Sequence, residues 1–305
     1  MKAYQRRRAP VARCLVACAL MAACGVGKDN DDSSPALAAS MLRPVGTNAD
    51  AVPPAIPFDS ATPRATLSAV ASWPHDTAAY TQGLIVSAGR LLESTGLEGR
   101  SDIREVERTT GRVRRRVPLA APLFGEGIAV VRGRLFQLTW RTGHGYVYDA
   151  STLAPLDSFT YAGEGWGLAS DGDRLYLSDG TRQVRVISPD GFRVERTFEV
   201  REAGHPVWML NELEWVNGEL WANVYQTNFI ARIDPVTGAV IGWLDAGTLL
   251  RPRERQSVDA RGGIANGIAF DSARHRVLVT GKLWPRLFEV VVPSRDPAGS
   301  AARAP

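Results

Sequence analysis

The sequence predicts an all-β fold, a five-bladed β-propeller, and two observations carry that expectation. First, a tight turn followed by Leu or Val and a second large apolar residue recurs five times. It reads Gly89-Arg-Leu-Leu92, Gly133-Arg-Leu-Phe136, Asp173-Arg-Leu-Tyr176, Gly218-Glu-Leu-Trp221 and, more weakly, His275-Arg-Val-Leu278. Positions 91, 135, 175, 220 and 277 lie 44, 40, 45 and 57 residues apart, a period that fits a four-stranded blade. Second, short runs rich in Val, Leu, Ile, Tyr and Trp flank each turn and are separated by Gly, Pro and Asp punctuation, the pattern of strands joined by hairpins.

The elements follow in order. One strand precedes each turn, at residues 83–86, 127–131, 167–170, 213–216 and 267–270. Another follows, at 103–106, 146–148, 184–187, 230–233 and 287–291, with a weaker fourth strand in each unit. Turn chemistry closes the units, as at Thr109-Thr-Gly111, Pro189-Asp-Gly191 and Pro235-Val-Thr-Gly238. The long last step holds an Arg-rich, apolar-poor insert around 248–262, expected to be a surface loop. A strand near 66–71 precedes the first unit and is expected to close the ring by joining the blade built from the C-terminus. The propeller domain is expected to run over 65–293, followed by a disordered tail at 294–305.

The N-terminus reads as an export signal. Lys2, Arg6, Arg7, Arg8 and Arg13 precede an apolar run, Cys14 to Ala23, too short for a stable membrane anchor. These five cations account for more than the whole net charge of +4 and leave the remainder at −1. There is no basic stripe, and nucleic acid is not an expected partner. The run ends Met21-Ala-Ala-Cys24, similar to a lipoprotein processing box, which makes Cys24 a candidate for lipidation. Plain cleavage near Ala38 or Ala39 is the alternative. The segment 25–64, rich in Ala, Pro, Ser and Asp, is expected to be a flexible linker. All three cysteines lie in the leader, so the folded domain has neither a disulfide framework nor a thiol nucleophile.

Aligning the five copies places residue types around one mouth of the channel. At the start of the inner strands stand Gln82, Glu126, Trp166, Asn211 and Asn266; Glu126 is the one carboxylate among them. At the end of the next strands stand Gly96, Trp140, Gly180, Tyr225 and Lys282. Lys282 is the single lysine of the domain in a chain that otherwise uses arginine there. That choice suits a site that needs a compact ammonium, although chance on a solvated face also produces it. Walls of Phe124, Trp140 and Trp166 should desolvate Glu126 and raise its pKa toward proton-transfer values. A structural hydrogen-bonding role for Glu126 is the alternative. The four histidines show no metal-ligand spacing, and no metal or cofactor is expected. No Ser-His-Asp motif is present. Trp73, Trp208, Trp215, Trp221 and Trp243 read as blade packing.

Several strings resemble the plant and bacterial type of glutaminyl-peptide cyclotransferase. They are Tyr80-Thr-Gln-Gly83, Glu93-Ser-Thr-Gly-Leu97, Phe124-Gly-Glu-Gly127, Gln137-Leu-Thr-Trp140, Gly163-Glu-Gly-Trp-Gly167, Leu210-Asn-Glu-Leu-Glu214, Ala222-Asn-Val-Tyr-Gln-Thr227 and Thr280-Gly-Lys-Leu-Trp-Pro285. The resemblance spans about Trp73 to Val291. It implies a five-bladed propeller and a metal-independent enzyme that turns the N-terminal glutamine of peptides into pyroglutamate with release of ammonia. Carried over by motif, the catalytic groups are Glu126, Lys282 and Asn211. The substrate-binding groups are Tyr80, Gln82, Phe124, Trp140, Trp166 and Tyr225. Tyr80 and Tyr225 depart from the family's usual Phe and Trp, a change that bears on substrate preference. Glu126 is assigned as the proton shuttle. Peptides and proteins with N-terminal Gln are the expected partners, membrane contact is limited to a lipid anchor, and a monomer suffices. A non-catalytic peptide-binding propeller of the cell envelope is the alternative.

Overall fold

The computed structural model describes residues 55–291. The leader 1–24 with Cys24, most of the linker 25–64 and the tail 294–305 lie outside the described residues. Within them, five four-stranded antiparallel blades are arranged around a channel. Blade 1 is β3 (Thr81–Ser87), β4 (Arg90–Thr95), β5 (Asp102–Val106) and β6 (Val113–Pro118). Blade 2 is β7 (Gly125–Val131), β8 (Arg134–Thr139), β9 (His144–Asp149) and β10 (Pro155–Thr160). Blade 3 is β11 (Leu168–Ser170), β12 (Leu175–Ser178), β13 (Gln183–Ser188) and β14 (Arg193–Glu199). A small hairpin follows, β15 (Arg201–Glu202) and β16 (His205–Pro206). Blade 4 is β17 (Leu210–Val216), β18 (Glu219–Val224), β19 (Phe229–Ile233) and β20 (Val240–Asp245). Blade 5 takes β21 (Ala265–Asp271), β22 (Arg276–Gly281) and β23 (Arg286–Val291) from the C-terminal part of the chain.

The outer strand of blade 5 is β2 (Ala69–Pro74), antiparallel to β23, with Trp73 opposite Leu287. The ring is thus closed by an N-terminal strand, as the repeat spacing predicts. Just before it, β1 (Arg64–Thr66) adds a parallel strand to the outer edge of blade 4, beside β20. The stretch 64–74 therefore stitches blade 4 to blade 5. Residues 56–58, read from the sequence as the end of a linker, pack here too. The Phe58 ring lies 5.2 Å from that of Trp243 and 4.9 Å from that of Phe229.

The core is divided among the wedges between blades. One cluster joins Ile85 and Leu92 of blade 1 to Ile128 and Leu135 of blade 2. Others join blades 2 and 3 through Phe136 and Leu177, blades 3 and 4 through Val184 and Leu213, blades 4 and 5 through Trp221 and Ile268, and blades 5 and 1 through Leu278 and Leu84. Each fully buried aliphatic side chain contributes about 1.5–3 kcal/mol, so every wedge stabilises the ring. The outer strands β2, β6, β10 and β14 are largely exposed, whereas β20 is covered by β1. Strand β6 carries Arg114, Arg115 and Arg116, and such charge discourages edge-to-edge pairing.

The insert expected to be a loop holds a helix, α1 (Pro252–Asp259). Pro252 opens its first turn, Glu254 accepts a hydrogen bond from Arg251 N at 3.1 Å, and Glu254 also pairs with Arg286 at 2.7 Å. Capping and one buried residue, Val258, hold it, so no apolar stripe marks it in the sequence.

Candidate active site

In blades 1, 2, 4 and 5 the inner strands begin two or three residues earlier than the sequence pattern implies, and the added residues form bulges; in blade 3 the strand begins only at Leu168, with no bulge. The pairing register slips between Thr81 and Gly83, Gly125 and Ile128, Leu210 and Leu213, and Ala265 and Ile268. A bulge bends its strand and re-aims a side chain. Gln82, Glu126, Asn211 and Asn266 all sit in these bulges, and all are buried. The adjacent glycines are required by close approach. A Cβ on Gly83 would meet Ile128 N at 2.7 Å, and one on Gly127 would meet Leu168 N at 2.5 Å.

The second ring obeys the repeat in four blades; in blade 3, Gly180 lies two residues beyond the end of β12 and its N–H donates to Leu210 O of blade 4. Gly96, Trp140, Tyr225 and Lys282 each follow the last residue of a second strand. Their backbone N–H groups donate to Tyr80 O, Phe124 O, Met209 O and Ile264 O at 2.8, 3.0, 2.8 and 2.8 Å. Tyr80 and Phe124 are thereby fixed as equivalent positions in blades 1 and 2.

These residues converge into a collar. The rings of Tyr80 and Phe124 meet edge to face at 6.1 Å, and Phe124 lies 5.3 Å from Trp140. Trp140 and Trp166 donate their indole N–H groups to the same oxygen, Glu164 Oε2, at 3.0 and 2.9 Å. Trp166 meets Tyr225 edge to face at 5.7 Å. The hydroxyls of Tyr225 and Tyr80 hydrogen-bond to each other, which closes the circle. Lys282 Nζ lies 4.8 Å from the centroid of each of these two tyrosine rings, a cation–π cage for an ammonium removed from water.

Glu126 belongs to the same group. Asn266 Nδ2 donates to Gln82 Oε1 at 3.1 Å, which orients the amide so that Gln82 Nε2 donates to Glu126 Oε1 at 3.1 Å. The backbone of Glu126 is held from behind: Ser94 Oγ donates to its carbonyl at 2.6 Å, Gln137 Nε2 donates to Ser94 Oγ, and Tyr148 OH donates to Gln137 Oε1. Glu126 Oε2 and Asn211 Oδ1 are buried and make no hydrogen bond within the described residues. Buried polar atoms are ordinarily paired, so these two acceptors are suited to donors arriving with a ligand.

Electrostatics follow from burial. Burial pushes the Glu126 carboxyl well above its ordinary value; Lys282 opposes this and Glu164 adds to it. Burial lowers Lys282 to about 8, with Glu126 partly offsetting it. Among the described residues no three His, Cys, Asp or Glu side chains gather into a set able to hold a metal ion.

These contacts connect Tyr80, Gln82, Phe124, Glu126, Trp140, Trp166, Tyr225 and Lys282, and Asn211 stands in the equivalent bulge of blade 4. Comparison of the sequence fits this arrangement. Residues 37–292 match the pattern of the family described as Glutamine cyclotransferase. The chain belongs to that family. It is 42% identical over 229 residues to the glutaminyl-peptide cyclotransferase of Arabidopsis thaliana, covering 73% of this chain and 70% of that one. The crystal structure of Myxococcus xanthus glutaminyl cyclase superposes with a TM-score of 0.69 at 34% identity, over 75% of this chain and 97% of that one. A cyclotransferase must hold an amine against an amide carbon and exclude water, and a buried aromatic collar around the Glu126 carboxyl and the Lys282 ammonium can do both.

Two acids escaped the sequence reading. Glu164 lies in a loop outside both rings, where no repeat position marks it. Glu212 occupies the place that glycine holds in the other inner strands, so the channel has a second carboxylate beside Glu126. Its Oε1 accepts from Leu84 N at 3.2 Å and its Oε2 from Ile268 N at 3.0 Å. The expected packing role of Trp221 and Trp243 is met: both are fully buried in interblade clusters.

Proposed function

We propose that this enzyme cyclises the N-terminal glutamine of peptides and proteins to pyroglutamate, without a metal, with Glu126 as proton shuttle. The observation that carries the reading is Glu126 itself: a buried carboxyl with one oxygen held by Gln82 and the other unpaired, inside an aromatic collar that also holds the Lys282 ammonium.

The chemistry needs little more. The substrate's neutral α-amine attacks its own side-chain carboxamide carbon, a C–N bond forms, and the original C–N bond breaks to release ammonia. The closure is intramolecular, so holding the side chain folded supplies much of the acceleration. Trp140, Trp166, Phe124, Tyr80 and Tyr225 provide the walls. Glu126 takes a proton from the attacking nitrogen and returns it to the departing one, so its own protonation is unchanged after each turnover. A raised pKa suits a group that must both accept and donate near neutrality. Lys282 donates to the carboxamide oxygen as negative charge develops there. Asn211 Oδ1 accepts from a substrate N–H and fixes the reacting nitrogen. A monomeric enzyme is part of the proposal. Export followed by lipid anchorage at Cys24 is part of the proposal; incorporation of labelled fatty acid that is lost in Cys24→Ser tests it.

The decisive experiment measures ammonia release from a Gln-initiated dipeptide amide with excess chelator present. Chelator-resistant release that falls about 10²-fold or more in Glu126→Gln, with unchanged thermal unfolding, supports the assignment. Near-wild-type turnover in that variant removes Glu126 from the role, and loss of activity in chelator removes metal independence.

A further inference from the structure

Glu164 lies in the loop between β10, the outer strand of blade 2, and β11, the inner strand of blade 3. One of its oxygens accepts the indole N–H of Trp140, which follows β8, and of Trp166, which precedes β11. A single carboxylate therefore spans two blades at the mouth of the pocket. An indole nitrogen can only donate, so the direction of each bond fixes the tilt of its ring.

The acid is not a swinging surface group. Gly165 N donates to Trp140 O at 3.1 Å. Arg185 grips the loop from the other side, donating to Ala162 O at 2.6 Å and Glu164 O at 3.0 Å while pairing with Asp179 at 3.2 Å. A Cβ on Gly165 would meet the Tyr161 hydroxyl at 2.7 Å, so the loop is seated without slack. Burial pushes the Glu164 carboxyl above its ordinary value, opposed by the two indole hydrogen bonds and by the Arg141 guanidinium, which lies 3.5 Å from the Trp140 ring centroid.

The geometry points to Glu164 as a positioning residue: its carboxylate aligns Trp140 and Trp166 as the two walls that hold the substrate side chain folded, and it places a negative group on the collar that surrounds Glu126. The inference rests on the cyclase reading above. The charged and titratable groups around Glu126 are Lys282, Glu164, Tyr80, Tyr225 and Tyr161, with Gln82 as its hydrogen-bond donor; those around Glu164 are Arg141, Asp179 and Glu126. Of these, Glu164 is the negative neighbour that raises Glu126 further.

The test compares Glu164→Ala with Glu164→Gln. The glutamine keeps an oxygen that can accept both indole N–H groups and loses only the charge. Misplacing a reacting group by about 1 Å costs on the order of 10²-fold. Glu164→Ala is therefore expected to lower kcat by about 10- to 100-fold with a smaller change in KM. Glu164→Gln is expected to recover most of kcat and to move the Glu126 limb of the kcat/KM profile to lower pH. Wild-type kcat in the alanine variant overturns the inference, as does a glutamine variant as slow as alanine. If the alanine variant does not fold, the limb in Glu164→Gln decides: displacement upholds the role and an unmoved limb overturns it. A wild-type protein that releases no ammonia defeats the cyclase reading instead. Tryptophan emission then reads the clamp, expected to change in Glu164→Ala and not in Glu164→Gln; no change in either overturns it.

Discussion

Glu93 and Glu126 stand one blade apart, both almost fully buried, and the contrast between them separates a structural carboxylate from the proposed proton shuttle. Glu93 on β4 has both oxygens engaged. His75 Nε2 donates to Oε1 at 3.0 Å, Thr81 Oγ1 to the same oxygen at 2.7 Å, and Arg104 Nε to Oε2 at 3.0 Å. Glu126 has one neutral donor, Gln82, and a free second oxygen. Burial pushes both upward. At Glu93 the His75 and Arg104 charges overcome it and hold the acid at about 2; at Glu126 burial prevails. Thr81 and Gln82 are consecutive residues at the bulge that opens β3; Thr81 reaches Glu93 and Gln82 reaches Glu126, so one strand start serves both acids. The clasp also explains ring closure: His75, just after β2, donates through Nδ1 to Trp284 O of blade 5. Burial alone does not mark a catalytic acid; the number and charge of its partners do.

The largest effect that can break this comparison is on turnover. Glu126→Gln should cost about 10²–10⁴-fold in kcat with little change in unfolding temperature, because an amide still accepts from Gln82. Glu93→Gln should show the reverse. Removing one partner of a buried ion pair costs about 3–5 kcal/mol, on the order of 10 °C in Tm for a domain of this size, while kcat of the folded fraction stays close to wild type. Equal losses of turnover in the two variants would erase the distinction. The pH dependence has a definite direction. Glu93 is depressed in the fold, so its contribution is present above about 4.5 and is lost as pH falls toward about 2. His75 is raised by Glu93 against the effect of burial, so its contribution is present below about 6.5 and is lost as pH rises through its folded value.

A smaller effect sharpens the reactive side. Burial lowers Lys282 to about 8, so its proton is lost as pH rises through that value. If its ammonium stabilises the carboxamide oxygen, kcat/KM should fall above about pH 8, approaching about tenfold per unit. Lys282→Met should be slower below pH 8 and should lack that limb. A limb that persists in Lys282→Met would assign it to another group.

The fold and much of the site were legible because both are written as repeats. Turn, Leu and spacing recur in every blade, so equivalent positions could be aligned and the polar ones picked out. Gln82, Glu126, Asn211, Trp140, Tyr225 and Lys282 emerged from that alignment, whereas Tyr80 came through resemblance alone. What breaks the repeat was hidden. Helix α1 exists in one interblade connection and is held by capping, which leaves no periodic trace. Glu164 acts from a loop, through a contact made only when blades 2 and 3 come together. The clasp at Glu93 joins residues that are 11 and 18 positions apart, and nothing in their spacing announces a shared carboxylate.

Glu212 and Glu214 supply a third kind of buried acid, and with it the smallest expected effect. Glu214 Oε1 accepts from Phe270 N at 2.7 Å, and Glu212 accepts from Leu84 N and Ile268 N. These neutral donors lie on β3 and β21, so blade 4 binds the inner strands of blades 1 and 5 through carboxylates. Neutral N–H groups do not offset burial as cations do, and Glu214 is accordingly raised to about 8. The folded state then binds more protons than the unfolded one between about 4.5 and 8, so stability should decline as pH rises through that window. Glu214→Gln keeps an oxygen for Phe270 N and carries no charge. It should flatten the decline and stabilise the fold above pH 8 by about 1–3 kcal/mol, read as a rise of a few degrees in Tm. A variant that instead loses stability at alkaline pH would show that Glu214 is held as a carboxylate after all, and would place it with Glu93 rather than with Glu126.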